Sequence, residues 1–148
     1  MTTIHHEIEA RCAPDSVWAL LADLEAVKLY NPTVRSAAIE GALRTGVGAR
    51  RVCDLVPKGR VTERVTHWDE RRAIGLEVAE SDWPIHYMRW TTRLEQHGLS
   101  TRITQDLEYR VKFGPLGWVL DQLVMKRKLR STLDSVFAQL VKHAEGTV

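Results

Sequence analysis

Glu63 is the carboxylate whose neighbours point most directly to chemistry. It stands between Val61 and Val65, so a strand there would put all three on one apolar face, where an unpaired charge is costly and its pKa rises. A raised pKa would suit Glu63 to proton transfer. Equally, it could be a rim carboxylate paired with Arg51 or Arg64, and both alternatives stand at this point. His86 and Tyr109 are two further groups able to move or share a proton, and Gln105 could orient a carbonyl or phenol oxygen. The six histidines, at 5, 6, 67, 86, 97 and 143, form neither an H-E-x-x-H motif nor an i,i+4 pair on a helix, so no metal is expected. Cys12 and Cys53 lack C-x-x-C spacing. Gly46-Val47-Gly48 falls between two strands rather than before a helix, and no G-x-S-x-G is present. A nucleotide cradle and a serine-hydrolase elbow are therefore unsupported, and no cofactor is expected.

The elements that must position these groups follow from periodicity. Ile4, His6, Ile8 and Ala10 alternate with charged and polar residues, the period of a half-buried strand. Ala13-Pro14-Asp15-Ser16 starts a helix with Val17, Trp18, Leu20, Leu21 and Leu24 on its apolar face. Asp23 is placed to cap a second short helix over about 24–30, and Asn31-Pro32 ends it. From about Thr33 to Phe113, Gly, Pro and Asp clusters divide six alternating runs with no helical stretch between them, which predicts an antiparallel meander. The run after Gly117, some thirty residues without Gly or Pro, predicts one long terminal helix. Met125, Leu129, Leu133, Val136, Phe137, Leu140 and Ala144 recur along it at steps of three or four, while Leu116, Val119, Leu120, Leu123 and Val124 sit mainly on a different arc.

Composition limits the partners. The chain has 148 residues, 44% hydrophobic and 27% charged, the make-up of one globular domain spanning residues 1–148. A net charge of +2 is too small to point to nucleic acid. Apolar runs fall far short of the roughly 20 residues that span a bilayer, and the start shows no signal pattern, so the expected location is the cytoplasm. Lys126-Arg127-Lys128 with Arg130 is the one basic cluster; it is either a solvated face or, beside Leu120, Leu123 and Val124, a transient contact with an anionic membrane surface.

One strand, two short helices, six antiparallel strands and a long last helix exclude doubly wound folds, which need helices between strands. In that order, and in Ala13-Pro14-Asp15-Ser16-Val17-Trp18-Ala19-Leu20-Leu21-Ala22-Asp23, Asn31-Pro32, Gly46-Val47-Gly48-Ala49-Arg50-Arg51, Glu63-Arg64-Val65-Thr66, Arg89-Trp90-Thr91-Thr92-Arg93-Leu94 and Phe113-Gly114-Pro115-Leu116-Gly117-Trp118, the chain resembles the START-like (SRPBCC) superfamily, within it the polyketide cyclase/dehydrase-like branch. The resemblance runs from about Ile4 to Glu145. It implies an α+β helix-grip fold: a curved seven-stranded antiparallel sheet wrapped around the C-terminal helix, with an apolar cavity between them. Tyr30 stands where the family leads one to expect a tryptophan before Asn-Pro.

Alternation assigns side chains to that cavity. His86, Met88, Trp90, Thr92 and Leu94 form one row, and Ile103, Gln105, Leu107, Tyr109 and Val111 the next. Val65, Leu76 and Val78 extend the wall, Met125, Leu129 and Leu133 close it from the helix, and Tyr30 lies at one end. Met88, Trp90 and Tyr109 could equally be ordinary core. The expected partner is a hydrophobic small molecule, lipid-like or polyketide-like, held unchanged. The alternative is a cyclase, aromatase or dehydratase in which Glu63, His86 or Tyr109 moves protons next to a carbonyl. The sequence leaves the oligomeric state open between a monomer and a homodimer.

Overall fold

The computed structural model describes residues 2–112, 114–120 and 124–146, without the side chains of residues 117, 118 and 120. Strand β1 (Thr2–Ala10) leads into helix α1 (Pro14–Ala22), a 3-10 turn (Leu24–Ala26) and helix α2 (Val27–Tyr30). Strands β2 (Val34–Glu40), β3 (Arg50–Leu55), β4 (Arg60–Asp69), β5 (Ala73–Ser81), β6 (Ile85–His97) and β7 (Ser100–Val111) follow, then helices α3 (Gly114–Leu120) and α4 (Lys126–Gly146). The strands form one antiparallel sheet in the order β1-β7-β6-β5-β4-β3-β2, so the first strand closes against the last and the others run as a meander. This is the expected α+β helix-grip architecture.

Local chemistry explains the early helices. Pro14 occupies the first turn of α1, where its missing N–H costs nothing. The Asp23 carboxylate accepts from Glu25 N at 3.2 Å and caps the 3-10 turn. Asn31 then stops α2 by accepting from both the backbone N–H and the hydroxyl of Thr33, at 3.0 and 2.6 Å.

The core lies between the inner sheet face and the helices. Val17, Trp18 and Leu21 of α1 and Phe137, Leu140 and Ala144 of α4 are buried together with Ala10, Leu94 and Ile103. The last three helix positions are spaced by three and four, so one stripe of α4 meets the sheet, and each large side chain buried there contributes about 1.5–3 kcal/mol. Arg11 N donating to Glu145 Oε2 and the His143 ring nitrogen donating to the Leu29 carbonyl fasten the end of α4 to the β1–α1 junction and to α2. The thirty-residue terminal helix expected from the sequence is described as α3 and α4; residues 121–123, with the predicted Leu123 position, lie outside the described residues. Among the described residues no helix is long and apolar enough to cross a membrane.

Candidate functional site

Strand register carries apolar side chains across the concave face in a continuous row. Val65 opposes Leu76, Leu76 opposes Trp90, Trp90 opposes Leu107, and Leu107 opposes Ile4. Because pairing preserves the face, five strands present one wall. Tyr109 lies in the neighbouring row between Met88 and Thr2 and is fully buried. Leu129 and Leu133 of α4 pack over Ile4, Leu107 and Tyr109, and with Met88, Trp90 and Val111 they remain only partly buried. Met125 is half-buried immediately before α4.

A polar strip interrupts the wall one row further along. Thr92 Oγ1 donates to Gln105 Oε1 at 2.9 Å, both residues being buried. Gln105 is in turn the cross-strand partner of His6. The His6 ring stacks on Phe137 at 4.5 Å and 16°, and its Nε2 donates to Asp134 Oδ1 at 3.2 Å. A carboxylate can only accept, so that contact puts the imidazole proton on Nε2. His6 Nδ1 is buried without a partner among the described residues. The sequence placed His6 in an inward row with Ile4 and Ile8 but gave no sign of this environment, because Asp134 and Phe137 are more than a hundred residues away.

The opposite end of the wall carries charge. Glu63 opposes Val78 on β5 and Arg51 on β3. Arg51 Nε donates to Glu63 Oε1 at 2.6 Å, and Arg51 Nη1 donates to the Leu24 carbonyl at 3.1 Å. Tyr30 of α2 and Cys53, both buried like Arg51, complete a group of four with the partly buried Glu63. Burial pulls the Arg51 pKa down, but the charge of Glu63, with Tyr30 and Cys53 behind it, more than reverses that and leaves it above its ordinary value. Burial pushes the Tyr30 hydroxyl up, with Arg51 opposing. The notion of Glu63 as an unpaired carboxylate therefore fails: the partner is Arg51, while Arg64 turns to Glu77.

His86 requires a second correction. Simple alternation put it in the row of Met88 and Trp90, but the β6–β7 register shifts between Ile85 and Tyr87. An extra residue in one strand flips the face beyond it. Ile85 thereby opposes Val111 while His86 is exposed, its ring edge-on to Tyr87 at 6.3 Å. The structure thus gathers Val65, Leu76, Val78, Met88, Trp90, Thr92, Gln105, Leu107, Tyr109, Leu129 and Leu133 about one concave face, brings Tyr30 and Glu63 together at its polar end, and leaves His86 outside. Among the described residues no group of three or more His, Cys, Asp or Glu is placed to hold a metal ion.

Comparison with known proteins follows the same geometry. The protein TTHA0849 from Thermus thermophilus superposes with a TM-score of 0.82 at 22% identity, covering 99% of each chain. Ara h 8.0201 does so at 0.74 and 16% identity over 97% of each chain. A point mutant of Thalictrum norcoclaurine synthase, in complex with a transition state analogue, gives 0.68 at 22% identity over 96% of this chain and 95% of that one. At such identities the likeness is one of fold. No curated protein matches the sequence significantly. Residues 1–145 match the family described as polyketide cyclase/dehydrase and lipid transport, and with that match over nearly its whole length the chain belongs to this family.

Proposed function

We propose that the protein holds a hydrophobic small molecule, lipid-like or polyketide-like, between the concave sheet face and α4 without transforming it. The observation that carries this is the unfinished packing of the wall. Met88, Trp90, Leu129 and Leu133 belong to the inner apolar face yet remain half-buried, whereas Leu94, Ile103, Phe137 and Leu140 at the other end are closed. Apolar surface left open on a concave wall gains free energy when an apolar ligand covers it. Met adapts to ligand shape and the Trp ring offers a flat contact, while Thr92 and Gln105 supply polar atoms that can fix one orientation. Both cysteines are free and buried, which supports the reducing cytoplasm as its location.

A second use of the same face, as a cyclase or dehydratase, is favoured by one observation: Glu63, Arg51 and Tyr30 form a polar group at one end of the wall. Native mass spectrometry of the purified protein, followed by denaturing extraction, tests the first reading. An adduct released unchanged, and lost from the Met88→Glu variant but kept by His86→Ala, is the expected result. An empty protein whose binding of anilinonaphthalene sulfonate is indifferent to Met88→Glu would overturn it. Turnover of an aromatic or polyketide substrate that Glu63→Gln abolishes would establish the enzyme instead.

A further inference from the structure

The positive charge of this chain is concentrated in one segment. Residues 112–130 hold Lys112, Lys126, Arg127, Lys128 and Arg130 against a single carboxylate, Asp121, a net +4, whereas the other 129 residues sum to −2. Elsewhere most arginines face carboxylates, among them Arg50 with Glu40, Arg60 with Asp54, Arg64 with Glu77 and Arg89 with Glu108. The five cations of this segment have no such partner among the described residues, and all but the half-buried Lys126 are exposed.

Apolar side chains stand exposed in the same segment. Leu116 and Val119, three apart on one side of α3, are 66% and 43% exposed, and Val124 is 55% exposed. Val124 also borders an open groove of about 520 Å³ lined by Arg127, Lys128, Ser131 and Thr132. Two cations and two hydroxyls are the donors that phosphate oxygens accept from. Leu129 and Leu133 lie on another arc of the same helix and pack over Ile4, Leu107 and Tyr109, so the concave wall and the charged groove take different residues of α4.

We propose that α3 and the first turns of α4 form a docking surface for an anionic phospholipid bilayer. Arg127, Lys128, Ser131 and Thr132 take headgroup phosphates, and Leu116, Val119 and Val124 enter the acyl boundary. The combination, in one segment, of cations without a carboxylate partner among the described residues and exposed aliphatic side chains fits an interface that is charged at the headgroups and apolar just beneath them. This docking does not depend on what the cavity holds.

Co-sedimentation of the full chain with sucrose-loaded vesicles tests it. Binding to phosphatidylcholine vesicles containing phosphatidylglycerol, absent with phosphatidylcholine alone and suppressed at about 1 M salt, where the Debye length is about 3 Å, is the expected result. With each cation worth about five-fold in membrane affinity, the Arg127→Glu/Lys128→Glu variant should bind at least about 25-fold more weakly. Leu116→Ser/Val119→Ser should weaken binding without altering its salt dependence. Circular dichroism and uptake of anilinonaphthalene sulfonate should stay unchanged in both variants, which separates failure of docking from failure of the cavity proposal. Equal binding to neutral and anionic vesicles, no binding to either, or indifference to these substitutions would overturn the proposal. So would saturable binding of inorganic phosphate that competes fully with the vesicles, since it would make the groove a free-phosphate site.

Discussion

Arg51 and Glu63 are directly opposed across β3 and β4, with Arg51 Nε 2.6 Å from Glu63 Oε1 and the side chains only 5% and 12% exposed. The turn between the strands sets that opposition. Leu55 N donates to the Gly59 carbonyl at 2.8 Å, and Gly59 adopts a φ of +108°, a conformation that side chains disfavour. Through Arg51 Nη1 and the Leu24 carbonyl, the pair also fastens the 3-10 turn to the sheet.

Removing one partner should therefore cost much more than removing both. Arg51→Met strands the Glu63 carboxylate in a dry site and should destabilise the protein by about 3–5 kcal/mol, whereas Arg51→Met/Glu63→Leu should recover most of that loss. Urea unfolding of the single and double variants measures the coupling. Additive losses would show that the pair contributes no more than two separate side chains.

Cys53 sits in the same group and is set up to be inert. Burial first, then the charge of Glu63, pushes its thiol up to about 12, with Arg51 opposing. Cys12 is also raised, by burial and then by Glu145. At pH 8 only about one Cys53 in ten thousand would be thiolate, the form that reacts. Ellman's reagent should accordingly find almost no reactive thiol in the native protein and two per chain after denaturation. Rapid native labelling of Cys53, located by peptide mapping, would contradict this environment.

The order of elements and the inward rows of β1, β5 and β7 were legible in the sequence because period-2 alternation is a local property. Ile103, Gln105, Leu107 and Tyr109 all fall on the expected face. His86 departs from the alternation of β6 because a bulge breaks that period in a way only the partner strand reveals. Alternation puts Glu63 between Val61 and Val65 and leaves both Arg51 and Arg64 open as its partner; the β3–β4 register decides for Arg51. His6 lies in a legible row, but its contacts with Asp134 and Phe137 depend on how α4 docks, which no local pattern encodes.

On the convex face, His5 is the group whose titration should respond most clearly to a neighbour. His5 Nδ1 lies 2.7 Å from Asp106 Oδ1. The hydrogen bond to Asp106 raises its pKa above the ordinary 6.5, slight desolvation opposes this, and the charge of Asp106 together with Glu7 adds to the rise. Arg93 Nη1 shares the Asp106 carboxylate at 3.3 Å, so Asp106 keeps a cationic partner when His5 loses its proton. A histidine raised on folding stabilises fully below its unfolded pKa, and that contribution is lost as pH rises through the folded value. The pair should thus help at mildly acidic pH and contribute nothing at alkaline pH. NMR titration of the His5 Cε1–H resonance should give a midpoint above 6.5 in the parent chain, moving down toward 6.5 in Asp106→Asn. An Asp106→Asn midpoint equal to the parent's would mean that the contact does not govern His5 in solution.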